Sequence, residues 1–74
     1  MNKDRRNRIA KIITDIEKVK DDLQDVLREE ENVFDNMPEN LQCSMRGEES
    51  ESAIEYMEEA VEALENAIEQ LEEI

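Results

Sequence analysis

Seventy-four residues make one domain at most, with room for only a modest core. The single cysteine, Cys43, excludes an internal disulfide, and one thiol without any histidine excludes a tetrahedral zinc site. The net charge of −13 argues against direct nucleic-acid binding, which needs a basic face.

In chain order, residues 1–20 carry Lys3, Arg5, Arg6, Arg8, Lys11, Lys18 and Lys20 against Asp4, Asp15 and Glu17, a net of +4. The remaining 54 residues carry Arg28 and Arg46 against nineteen acids, a net of −17. After a few frayed residues, Ile9, Ile12, Ile16, Val19, Leu23, Val26, Glu30 and Val33 fall on alternating a and d positions of a heptad. Ile13, Leu27 and Phe34, interrupted by Lys20, form a second apolar column at e. Neither glycine nor proline breaks this stretch, so the pattern predicts one helix over about 3–35, roughly 50 Å long at 1.5 Å per residue.

Pro38 disfavours helical geometry in the residue before it, and Asn36 tolerates the left-handed conformation that ends helices, so the first helix should stop at Asn36-Met37. Pro38–Gln42 reads as a helical turn with Glu39 at its positive end, inside a connection of about 36–44. Either Ser44 or Ser50 caps the second long helix, which therefore begins near 45 or near 50 and runs to 74. Its seam is Ile54, Met57, Val61, Leu64, Ile68 and Leu71, flanked by Ala53, Ala60, Ala67 and Ile74. Tyr56 reads as a packing residue on its flank. Glutamates crowd the outer face, and no base follows Arg46.

Folding the chain about residue 40 sets Ile9 on Leu71, Ile12 on Ile68, Ile16 on Leu64, Val19 on Val61, Leu23 on Met57 and Val26 on Ile54. Every a residue then meets a d residue, as an antiparallel coiled coil requires. Glu30 falls opposite Ser50, and Gly47 opposite Val33 and Phe34. Glu30 either snorkels from the bundle end, pairs with Arg46, or forms a register-setting polar layer. The same fold brings Arg5, Arg6 and Arg8 beside Glu69, Glu72 and Glu73. The expected fold is thus an all-α antiparallel two-helix hairpin, a coiled coil of one domain.

That hairpin would leave Ile13, Leu27 and Phe34 in water, together with Ala53, Ala60 and Ala67. These six are the candidate dimer interface, and two hairpins joined there would make a four-helix bundle. The commonest partner for a small domain is a second copy of itself.

No catalytic, metal-binding or cofactor-binding set emerges. Cys43 has no histidine to activate it, carboxylate-bridged bundles need Glu-x-x-His pairs, and one glycine cannot build a phosphate loop. The absence of an apolar run of membrane-spanning length, or of a signal-peptide core after the basic start, predicts a cytoplasmic protein without membrane association. The acidic face, represented by Glu58, Glu62 and Glu65, has two readings: a solubilising surface, or a helix imitating DNA phosphates to occupy a groove on a basic host protein. In the connection, Asp35, Glu39 and Asn40 have the least structural reason for their identity. With Asn36 they form a second candidate site for a partner.

The run Phe34-Asp35-Asn36-Met37-Pro38-Glu39-Asn40-Leu41-Gln42, followed by Ser44, Arg46-Gly47-Glu48 and a Glu-rich helix, resembles the turn of small acidic helical-hairpin proteins of bacteria, phages and prophages. The resemblance covers about residues 29–74. It implies a natural protein of phage or mobile-element origin, and it brings no catalytic residues with it.

Overall fold

The computed structural model describes residues 1–74 and is all-helical: α1 spans Lys3–Asp35, α2 Glu39–Gln42 and α3 Met45–Glu72. α1 begins where the Asn2 side-chain oxygen accepts from the Arg5 amide at 2.8 Å, which satisfies one of the free donors of the first turn. It ends at Asn36, whose backbone is right-handed (φ −90°, ψ −1°) rather than left-handed as the sequence suggested. The Asn36 side chain donates to the Asn32 carbonyl at 2.8 Å, doing the terminating work itself. Pro38 is the N-cap of α2 and not its first helical residue, so that turn is one residue shorter than expected.

Ser44, rather than Ser50, caps α3: its hydroxyl accepts from the Gly47 amide at 3.5 Å and donates to the Leu41 carbonyl. Ser50 is buried inside the hairpin, where its hydroxyl donates to Glu30 Oε1 at 2.7 Å. That bond fixes the register, and it resolves Glu30 as a polar layer paired with Ser50 and not with Arg46. The open end keeps the same register, with Ile9 beside Leu71 and Ile16 beside Leu64.

α1 presents a different side to α3 from the one its a/d pattern suggests. Ile12, Val19, Val26 and Val33 point outward, each about half exposed (49–54%). The half-buried residues of α1 are instead Ile9, Ile13, Ile16, Lys20, Leu23, Leu27, Glu30 and Phe34, spaced alternately by four and three, with Gln24 and Glu31 beside them on the side away from the valines. The helix is therefore turned about its axis by half a residue step, roughly 50°. Column a faces α3 in either orientation, so the choice lies between columns d and e. Turning e inward brings the larger Leu27 and Phe34 toward α3, with the Lys20 stem between Ile13 and Leu27, and leaves three valines outside. The pairings of Ile12, Val19, Val26 and Val33 with α3 are corrected accordingly, and Ile13, Leu27 and Phe34 belong to the hairpin seam rather than to a free flank.

Two further expectations change. Gly47 does not make room for Phe34; it lies against the end of α2, where an added Cβ would overlap the carbonyl groups of Leu41 and Gln42. The basic N-terminus does not pair across to α3. All four ion pairs lie within α1: Asp4–Arg8, Lys11–Asp15, Lys18–Asp22 and Asp25–Arg28. Arg6 and Glu72 share only the groove at the open end.

The result is a rod of 58 × 15 × 12 Å in which only Val61 and Ile68 are buried apolar residues. No helix is long and apolar enough to cross a membrane.

Candidate interaction surfaces

Three surfaces remain once the residues that hold the hairpin are set aside. The first is the connection. Asn36, Gln42, Ser44 and Gly47 are occupied there by structure: Gln42 Nε2 donates to the Phe34 carbonyl at 2.9 Å, tying α2 to the end of α1. Asp35, Glu39 and Asn40 are exposed and take no part in the side-chain hydrogen bonds or ion pairs of the turn. Asp35 also sits in the last turn of α1, where the helix dipole disfavours an anion and no base is present to offset it. Cys43 is exposed beside them.

The second surface is acidic. Glu58, Glu62 and Glu65 are exposed on α3 and have no base within ion-pair distance. The acids of α3 and its C-cap fill two heptad columns completely, Glu48/Glu55/Glu62/Glu69 and Glu51/Glu58/Glu65/Glu72, with Glu49, Glu59 and Glu73 outside them. The eleven carboxylates from Glu48 to Glu73 average one per ~3.8 Å of helix axis, close to the ~3.4 Å between phosphates along one DNA strand.

The third surface is apolar and was only half visible in the sequence. Ile12, Ile16 and Val19 line a groove with Asp15 at its rim and Leu64 of α3 at its floor. Ala60 and Ala67 lie one helical turn to either side of Leu64, at −4 and +3. The other two neighbours of Leu64, Val61 and Ile68, are buried in the seam, so the alanines border the open side of the groove. The valine column of α1 and the alanine column of α3 thus share one face of the rod. On α3 this face continues through Ala53, Tyr56, Ala60, Ala63, Ala67 and Gln70, a strip spaced alternately by three and four that contains no acid and points on to Ile74 just past the helix end. Tyr56 is 72% exposed on it. The signal for this strip is the set of positions that the glutamates avoid, and Ala63 and Gln70 become informative only when read that way.

No group of three or more histidine, cysteine, aspartate or glutamate side chains converges in a metal-binding arrangement. No protein-family model matches the chain, and no curated protein or solved structure is significantly similar to it.

Proposed function

We propose that this protein is a small, acidic, non-enzymatic interaction or structural protein that works as a homodimer. The observation that carries this reading is surface. A folded monomer of 8.7 kDa exposes about 4,700 Å², whereas this hairpin exposes 5818 Å². Its radius of gyration is 17.1 Å, against about 11 Å for a compact 74-residue domain. The excess of about 1,100 Å² is of the size one partner gives up in a standard protein interface, ~800 Å². The chain has no histidine, and its one thiol, Cys43, is exposed without a base of that kind to activate it. Origin in a phage or mobile element is what the turn resemblance implies. Sedimentation equilibrium at micromolar concentration tests the reading: we expect twice the chain mass, and a species of 8.7 kDa would overturn it.

The axial charge spacing of α3 favours a second reading, in which the acidic face imitates DNA and occupies a basic groove of a host nucleic-acid enzyme. Such binding would weaken steeply with salt. Reversal of Glu58, Glu62 and Glu65 to lysine should then abolish capture of the host target while the helical circular dichroism persists. If capture survives those reversals and is lost on changing Asp35, Glu39 and Asn40, which hold no structural bond, the connection is the binding site instead.

A further inference from the structure

We infer that a second copy of this chain docks on the face formed by Ile12, Val19, Val26, Val33, Ala53, Ala60 and Ala67, with the two hairpins side by side and their turns at the same end. This rests on the homodimer reading and assigns it a surface and an orientation.

The face is complementary to itself. The α1 column is a ridge of β-branched side chains at seven-residue spacing, and the α3 column is a trough of alanines at the same spacing, about 10.5 Å per repeat. A two-fold axis along the rod lays each ridge in the partner's trough, twice over, which is the geometry an isologous interface requires. Nothing in the isolated hairpin uses the ridge. Valine is a weaker helix former than alanine or glutamate, so three half-exposed valines in a surface column cost helix stability unless something covers them. Alanine, conversely, lets a neighbouring backbone come close.

Charge selects the orientation. With turns together, the partner's α3 runs antiparallel to α1 at the height of the chain's own α3, so the hairpin's register applies. On the rim of α1, Arg8 then meets the partner's Gln70, Asp15 the partner's Ala63, and Asp22 the partner's Tyr56. The one like-charge meeting is Glu29 with the partner's Glu49. The basic first twenty residues also come to lie along the half of the partner's α3 that carries only acids. With turns at opposite ends, α1 would instead lie on α1, ridge against ridge. Asp15 would then approach the partner's Glu29, and Asp22 its own copy. The acid-free strip on α3 has its explanation in the first arrangement, because it is where the acidic rim of α1 must fit.

The test uses the full chain and its one native cysteine. Val19→Lys and Val26→Lys replace residues already half exposed, so the helical spectrum should persist while dimerisation weakens on the order of a hundredfold. Glu58→Lys, away from the face, should remain dimeric. A nitroxide on Cys43 reads the orientation, with the two labels expected well within half of the 58 Å rod length. A Val19→Lys, Val26→Lys protein that stays dimeric, or labels separated by nearly the whole rod, would overturn the inference while leaving the homodimer reading intact. A wild-type chain that stays monomeric would sink both.

Discussion

At residue 47 the first turn of α3 passes so close to the end of α2 that a single methyl group would overlap the carbonyls of Leu41 and Gln42. The chain has no positive-φ residue, so glycine is needed here for space and not for backbone freedom. In an open helix, Gly→Ala gains up to about 1 kcal/mol. Here the obstacle is backbone on both sides, and overpacking of that kind costs about 1–3 kcal/mol. Gly47→Ala should therefore lower the stability read by chemical denaturation, and a more stable variant would show that α2 moves away freely. Three residues on, Ser50 and Glu30 make the one side-chain hydrogen bond that joins α1 to α3. A bond to a charged acceptor contributes about 1.5–3 kcal/mol, a large share of what so thin a hairpin can have. It also penalises any slipped register, because slippage would leave the buried serine unpaired.

At the scale of elements, much is legible in the sequence and some is not. The absence of proline and glycine through residue 35, and their concentration between 38 and 47, marked both long helices to within a residue or two. The register was legible because two irregularities, Glu30 and Ser50, fall opposite each other in only one fold-back. The rotation of α1 was not legible. Three of its seven heptad columns are apolar, and periodicity cannot say which two face α3 when the middle one does so either way. Side-chain size decides between them, Leu27 and Phe34 outweighing Val26 and Val33. The same ambiguity affects which residues look free: placing Ile12, Val19 and Val26 inside leaves Ile13, Leu27 and Phe34 in water, whereas in the hairpin those three are half-buried. On α3, where only two columns are apolar and a third is alanine, the seam was read correctly. Choosing the cap among serines was beyond the pattern, because both Ser44 and Ser50 precede helical residues and only the packing of α2 separates them.

For the whole molecule, charge acts with opposite sign on folding and on binding. α1 carries its four ion pairs along its own surface, exposed and worth about 0.3–0.5 kcal/mol each at best. In α3, five glutamate pairs stand four residues apart, from Glu51–Glu55 to Glu69–Glu73, and five more stand three apart, from Glu48–Glu51 to Glu69–Glu72. Like-charge neighbours at these spacings each destabilise a helix by about 0.2–0.5 kcal/mol, so ten of them outweigh the four attractions. The last turn of α3 adds to this, with glutamates and no base at the negative end of the dipole. Added salt screens all of these terms, and because repulsion predominates, its net effect on the fold should be stabilising. Relief of about 1 kcal/mol raises the melting temperature of a domain this size by roughly 4–8 °C. Thermal melts followed by circular dichroism at low and at high sodium chloride should therefore show an upward shift of that order. Capture of a basic target by the acidic face should fall over the same range of salt. A melting temperature that drops with salt would mean that attractions between helices or between chains, rather than the unpaired glutamates of α3, govern the stability of the rod.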